Sequence, residues 1–334
     1  MKKVLVTGGT GYLAGWIIKK LIEKGYEVKT TVRSNEKGEL VKSMLSHEKI
    51  DTANFSYIIA DLNDESSWDN AMAEIDYVLH VASPLGGENH NDVRLIDIAK
   101  NGTLNVVSSA IKAKVKKIVM TSSQAANYPE KNDTNQKVDE TFWTDLNNKS
   151  ITNYMRSKIY AEKSAWEVIG KQNFTKLVTI LPGAILGPFM DKRSGSTDQL
   201  FEMLIKGTPS PKVIYPVVDV RDLANLHILA LESAKADGQR FIAQSEEMTM
   251  PEMATILKNN LGENGKKVRT MVIPSFVVTL GAKFSPPMKV LLTMINLKYH
   301  RTSQKAKSLL NWKPRSAKET VIDSAKYLIE NNLV

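Results

Sequence analysis

Short apolar runs alternate with longer stretches in which apolar and polar positions recur at helical spacing, and this rhythm holds through the first half of the chain. Val4-Leu5-Val6 reads as a buried strand. Thr7-Gly8-Gly9-Thr10-Gly11 follows as a tight turn, and Trp16, Ile17, Leu21 and Ile22 then mark a helix. A turn and second strand are predicted over 25–33, a third strand over 55–60 and a fourth over 77–84. A helix from about 92 to 112 contains Gly102, an uncommon interior residue that close packing against the sheet or a cofactor would explain. The fifth strand covers 117–123. A polar connection, 124–149, follows with Phe142, Trp143 and Leu146 as its few apolar anchors, a length typical of functional or disordered loops. The next helix starts near Asn153 and continues through Trp166.

After Gly183 the patterns shorten. Leu200, Met203 and Leu204 mark a helix within 195–207, and 217–219 reads as a strand entering a helix over 223–231. A short strand is predicted over 241–243, and a helix over 251–261 with Pro251 in its first turn. Residues 268–273 read as a strand. The apolar runs 276–280 and 290–297, broken by Ser285-Pro286-Pro287, read as short helices, either of a small-domain core or, if exposed, covering a substrate or meeting a partner. Amphipathic helices over 303–310 and 317–329 close the pattern, which contains no internal repeat and no low-complexity segment.

Composition narrows the choices. A chain of 334 residues can bury a sizeable core. It has no cysteine, which excludes a disulfide framework and a thiolate metal site, and its five histidines show no ligand spacing, so no metal is expected. The apolar run behind Met1-Lys2-Lys3 ends at Thr7, too soon for a signal peptide, and no uninterrupted run could span a bilayer. A cytoplasmic protein without a membrane partner is expected. The net charge of +9 is spread along the chain, with no basic run interleaved with stacking aromatics. It reads as a solvated surface without a nucleic-acid partner, whose field helps to collect an anionic cofactor.

Candidate chemistry begins at the first turn. Gly8 and Gly11 allow a ligand to approach the backbone closely, and the helix behind them offers free N–H groups and a positive dipole end to a pyrophosphate. Ala14 stands where the Rossmann fingerprint accepts glycine or alanine. NAD-binding units place an acid near the end of the second strand to bond the ribose 2′-hydroxyl. Here Val32 and Arg33 stand there instead, with Lys37 one helical turn on. A carboxylate repels a 2′-phosphate and an arginine fork grips it, so NADP(H) is the expected cofactor. Asp61-Leu62 closes the third strand, where an adenine edge can rest. Ala82-Ser83 lies at the C-terminal end of the fourth, the ligand-binding edge of an open α/β sheet. His80, inside the apolar strand, reads as a core histidine. Thr121-Ser122-Ser123 delivers hydroxyls to the end of the fifth strand. Tyr154 and Lys158, four residues apart, share a helix face at the spacing that lets an ammonium favour phenolate over phenol.

These elements predict an α/β fold: a Rossmann doubly wound parallel sheet with helices on both faces, and a smaller, interleaved C-terminal substrate domain. The expected boundaries are 1–183 for the NADP-binding Rossmann domain, rejoined by segments at about 213–235, and 184–334 mainly for the substrate domain. The substrate would lie between them.

Together these motifs resemble the short-chain dehydrogenase/reductase family in its extended branch. The resemblance takes in Thr7 to Gly15, Asp61-Leu62, His80 to Pro84, Asn101-Gly102-Thr103, Thr121 to Ser123, Tyr154 to Lys158 and Leu181-Pro182-Gly183. It continues through Val218 to Ala224 and Ala306 to Pro314. Ala14, Thr31-Val32-Arg33-Ser34 and Val81-Ala82-Ser83-Pro84 point within the branch to dihydroflavonol reductases, cinnamoyl-CoA reductases and fungal NADPH-dependent carbonyl (methylglyoxal) reductases. The resemblance implies NADPH-dependent reduction of an aldehyde or ketone to an alcohol. Tyr154 would donate the proton, and Lys158 would bind the nicotinamide ribose and lower the tyrosine's pKa. Ser123 would hold the carbonyl oxygen, with Ser122 as the fallback one residue away. It also implies a cofactor site of Gly8, Thr10, Gly11, Tyr12, Leu13, Arg33, Lys37, Asp61, Leu62, Val81, Ala82, Ser83 and Ser122, with Pro182, Gly183 and Ile185 flanking the nicotinamide. The expected partner is a small-molecule carbonyl substrate, and the expected state a monomer or homodimer. Gln124, Phe142, Phe189 and Phe201 are candidates for the substrate wall. Arg193 and Arg221 are the arginines available for a diphosphate, with Arg221 better suited to the Asp219–Asp222 strand-helix junction. The competing reading is a sugar-nucleotide epimerase or dehydratase, which uses the same Tyr and Lys but usually retains NAD, against which Arg33 argues. A non-catalytic NADP sensor would be expected to have an altered Tyr or Lys.

Overall fold

The structure, a computed structural model, describes residues 1–84, 92–130, 138–191, 198–284, 292, 295 and 300–334. The predicted alternation runs β1 (Lys3–Val6), α1 (Tyr12–Glu23), β2 (Glu27–Val32), α2 (Asn35–His47), β3 (Phe55–Ile59) and α3 (Ser66–Ala71). It goes on through β4 (Tyr77–His80), α4 (Arg94–Lys112), β5 (Lys117–Thr121), α5 (Asn153–Ile169) and β6 (Lys176–Pro182). The later elements are β7 (Ala184–Leu186), α6 (Asp198–Ile205), β8 (Ser210–Pro211), β9 (Ile214–Asp219), α7 (Val220–Glu232) and β10 (Arg240–Ala243). After them come β11 (Glu246–Thr249), α8 (Met250–Asn260), β12 (Val272–Ile273), α9 (Ser275–Gly281), α10 (Gln304–Leu310) and α11 (Ala317–Glu330).

Seven strands form one sheet in the order β10-β6-β5-β4-β1-β2-β3. Every pairing in it is parallel. A parallel sheet is covered on both faces, which is why Val4, Leu5 and Val6 form an unbroken run with no exposed surface. Helices α1 and α7 pack on one face, and α4 against α5 on the other. The strand order reverses between β1 and β4, so the crevice outside their C-terminal ends is the topological switch point at which such sheets bind ligands.

A second sheet, β11-β9-β7, pairs β9 parallel to β7 and antiparallel to β11, and β8 pairs with β12. Beneath them lies a separate apolar core that includes Phe201, Leu204, Val217, Met253 and Val321. Of the segment expected to rejoin the first domain, α7 does lie against α1, whereas β9 belongs to the second sheet, and β10 extends the large one. The local signals for helix α8 are explicit: Thr249 and Glu252 form a reciprocal capping box with Pro251 in the first turn.

Two expectations in the second half change. The strand read over 268–273 is confined to β12, because Val268 turns into the small core. Helix α9 forms where 276–280 predicts it, but only Val278 is buried and Phe276 and Leu280 face outward, so it is not a core helix. Ser285-Pro286-Pro287 and most of 290–297 lie outside the described residues.

Candidate active site

The glycine turn is shaped by contacts that only glycine permits. Gly8 adopts φ +73°, and a Cβ there would stand 3.1 Å from the Ala82 Cβ. The turn therefore touches the end of β4 across the switch point. Gly8 N donates to Thr31 Oγ1 at 3.0 Å and Gly11 N to Gly8 O at 2.8 Å. Helix α1 starts from Gly11 with no side-chain cap and no acid in its first turn. Its dipole end thus faces the crevice uncompensated, as an anion site requires.

Beneath the turn, Thr7 and His80 settle each other's hydrogens. Thr7 Oγ1 accepts from Val81 N (3.0 Å) and Ala82 N (2.9 Å), which occupies both lone pairs. Its own hydrogen must then go to His80 Nδ1, 3.0 Å away. His80 is therefore the neutral Nε2–H tautomer, with Thr103 Oγ1 3.5 Å from Nε2. Burial, and secondarily the Lys158 charge, pushes its pKa down to about 3. His80 is a core histidine, as its place in the strand suggests.

A single cavity of about 760 Å³ runs from the end of β2, over this turn, to the N-terminal turns of α5. All the expected site residues line it: Gly8, Thr10, Gly11, Tyr12, Leu13, Arg33, Lys37, Asp61, Leu62, Val81, Ala82, Ser83, Ser122, Ser123, Tyr154, Lys158, Pro182, Gly183 and Ile185. At one end Arg33 and Lys37 are exposed, and neither side chain has an ion-pair or hydrogen-bond partner among the described residues. Asp61 holds the Asn63 backbone N–H at 2.8 Å. Gly102 of α4 packs against Leu62 so tightly that a Cβ would stand 2.8 Å from the leucine Cβ, which accounts for a glycine within the helix.

At the other end the two serines diverge. Ser122 is buried and donates to Glu162 Oε2 at 2.6 Å. Ser123 caps the short 3-10 turn Gln124–Asn127 and hydrogen-bonds the Tyr154 hydroxyl. Burial raises the Tyr154 pKa above its usual 10, and the Ser123 hydrogen bond only partly opposes this. The expected lowering by Lys158 is not what dominates in the cofactor-free protein: its ammonium lies 5.6 Å from the Tyr154 ring centroid and is itself pushed down to about 8 by burial.

Two residues missed by sequence reasoning sit behind this end. The Glu162 carboxylate, with no exposed surface, takes Nε of Arg240 at 2.8 Å, Thr179 Oγ1 at 2.6 Å and Ser122. Arg240 also donates to Glu140 O and Phe142 O, and its guanidinium lies 3.7 Å from the Trp143 ring centroid. The available signal was spacing, because Tyr154, Lys158 and Glu162 follow one another at intervals of four on one helix face.

The proposed substrate wall is redistributed. Phe189 lines the cavity and stacks on Tyr12 at 4.0 Å, while Tyr12 donates to Gly187 O at 2.6 Å. Phe201 is buried in the small core, Gln124 is buried against Gln244, and Phe142 contributes its carbonyl to Arg240; none of the three lines the cavity. Arg221 is held by Asp219 and Asp323 at the junction of β9 and α7, and Arg193 lies outside the described residues. Among the described residues no cluster of three His, Cys, Asp or Glu is placed to hold a metal ion, and no helix is long and apolar enough to cross a membrane.

A parallel sheet with its glycine turn at the switch point, and a Ser-Tyr-Lys group facing that turn, define an extended short-chain dehydrogenase/reductase. Residues 4–243 match the NAD dependent epimerase/dehydratase family, and the chain belongs to it. Its relatives include a cinnamoyl-CoA reductase of Medicago truncatula, 36% identical over 72% of this chain and 76% of the relative. A dihydroflavonol 4-reductase of Gerbera hybrida is 34% identical over 78% of this chain and 73% of its own. Among solved structures, yeast methylglyoxal/isovaleraldehyde reductase Gre2 complexed with NADPH superposes with a TM-score of 0.84 at 26% identity, covering 99% of this chain and 100% of that one.

Proposed function

We propose that this chain reduces an aldehyde or ketone to the alcohol with NADPH, using Ser123, Tyr154 and Lys158. One observation carries the reading. A single cavity joins the exposed Arg33 and Lys37, at the end of β2, to the Ser123–Tyr154 pair and the buried Lys158 ammonium. The uncapped first turn of α1 lies between them and fits a pyrophosphate. NADPH, when bound, supplies the hydride.

The protein's own groups bind, orient and deliver a proton. Arg33 and Lys37 grip the 2′-phosphate. Lys158 donates to the nicotinamide ribose. Tyr154, a phenol at neutral pH and all the more so for its burial, gives its proton to the carbonyl oxygen as hydride reaches the carbon. Ser123 donates a hydrogen bond to that oxygen while its charge develops. The phenolate left behind is stabilised by Lys158 and regains a proton from water. Ser123 has this role rather than Ser122, whose hydrogen is committed to Glu162.

On this reading the seven-stranded sheet holds the cofactor and residues 184–334 mainly the substrate. Phe189 on the wall favours a substrate with an apolar or aromatic group beside its carbonyl. Arg221 is occupied by two aspartates and is not free for a sugar diphosphate. The reductase names of the relatives support the same choice. The test is consumption of NADPH and of NADH against aldehydes and ketones of increasing apolar size, beside calorimetric binding of UDP-sugars. NADPH-dependent turnover that rises with apolar size is expected. Binding of a UDP-sugar without turnover of any carbonyl would overturn the assignment.

A further inference from the structure

We propose that Glu162 is a positioning residue for the reaction: held by Arg240, it anchors Ser122 and thereby sets Ser123 against Tyr154. The proposal rests on the reading of Ser123 and Tyr154 given above.

Glu162 sits on α5 one turn beyond Lys158 and two beyond Tyr154, on the face turned to the sheet. Its carboxylate is saturated. Oε1 accepts from Arg240 Nε (2.8 Å), Thr179 Oγ1 (2.6 Å) and Trp166 Nε1 (3.3 Å). Oε2 accepts from Ser122 Oγ (2.6 Å) and Arg240 Nη2 (3.2 Å). One group therefore ties β6, β10 and the end of β5 to the helix that carries Tyr154 and Lys158. Ser122 is pinned twice, since its N–H also donates to Ile180 O at 2.7 Å. With both its backbone and its hydroxyl fixed, the next residue leaves the strand in one direction, and that residue is Ser123.

Stability alone does not call for such a pair. A buried ion pair is often matched or bettered by apolar residues of similar volume, because desolvation offsets the attraction. Geometric specificity does call for it. Arg240 reaches past Glu162 to Glu140 O (2.7 Å) and Phe142 O (2.8 Å), so the same pair also fastens the connection that precedes α5.

The experiment is a double-mutant cycle with a stability control. Glu162→Gln and Ser122→Ala are each expected to lower kcat roughly 10- to 100-fold, the scale of a misplaced reacting group, and in Glu162→Gln, a position that does not line the cavity, KM for NADPH should change by less than about 2-fold. Because both act on one placement, the double variant should lose no more than the worse single one. Glu162→Gln leaves a buried guanidinium unpaired and should lower Tm, so Glu162→Met/Arg240→Met removes both charges. That variant is expected to recover Tm without recovering kcat. Full activity in Ser122→Ala, additive losses, or recovery of kcat together with Tm would each overturn the proposal. Tyr154→Phe in the otherwise native chain separates the two readings: if it keeps full turnover, the catalytic assignment fails, whatever Glu162 does.

Discussion

Arg33 offers the sharpest test of cofactor choice. It lines the cavity at the end of β2, is exposed, and among the described residues has no carboxylate partner to release before it meets a phosphate. Arg33→Ala removes one charge-assisted contact, a loss of about 1.5–3 kcal/mol for a hydrogen bond to a charged group. Two features of the structure place the expected loss in the lower half of that range. The site is open to water, which screens the pair, and Lys37 remains on the same wall to take part of the charge. At 1.4 kcal/mol per tenfold, NADPH should bind roughly 10- to 40-fold more weakly. NADH, which has no 2′-phosphate, should change by less than about 2-fold. Titration calorimetry with each reduced cofactor measures both numbers. Repeating it at raised ionic strength should shrink the NADPH gap, since exposed charges are screened over about a Debye length. Equal losses for the two cofactors, or no loss for NADPH, would refute the assignment of Arg33 to the phosphate.

The proton donor is tested by Tyr154→Phe, which should leave NADPH affinity intact and lower turnover by roughly 10²–10⁴-fold, measured by steady-state kinetics with a carbonyl substrate. Lys158 is charged at neutral pH against the cost of burial, with its pKa lowered from 10.5 to about 8. Lys158→Met should therefore raise the Tm of the cofactor-free protein at pH 7, by a free energy on the order of 3 kcal/mol, while abolishing most turnover. The sign follows from proton counts. Between about 8 and 10.5 the unfolded chain holds a proton that the folded one has lost, so this group's contribution to native stability rises with pH across that window. Thermal unfolding of both proteins from pH 7 to 10 should show the advantage of the variant narrowing.

The parallel sheet was legible because strands buried on both faces need apolar centres, and Val4-Leu5-Val6 of β1, Val78-Leu79 of β4 and Ile118-Val119-Met120 of β5 supply them. The cofactor edge was legible for a related reason, since glycines, small residues and hydroxyls stand at strand ends where a ligand has to approach. The second sheet was not. Strands β7 and β11 are short and, like β9, only partly buried, so no buried run the length of the strand marks them. Phe201 could not be told from a pocket aromatic, because periodicity gives the buried face of a helix without naming which core it enters. The Glu162–Arg240 pair spans 78 residues, and each partner alone looks like a surface charge. Burial raises the Tyr154 pKa in the free protein, an effect the sequence hides because spacing reveals a neighbouring charge and says nothing of burial.

The hydrogen-bond arithmetic around Thr7 has a consequence for how acid acts on this protein. His80 under the glycine turn titrates at about 3, and His227, whose Nδ1 donates to Leu223 O beside β5, at about 4. Neither imidazole gains charge as a cell or buffer drifts from pH 7 to 5. The unfolded chain, however, protonates both near 6.5. Protons are thus taken up on unfolding and not by the native site, and below that pH each histidine draws the equilibrium toward the unfolded chain. Acid thus acts on this fold through two imidazoles that stay neutral while it persists, and shortens that persistence without first altering either of them.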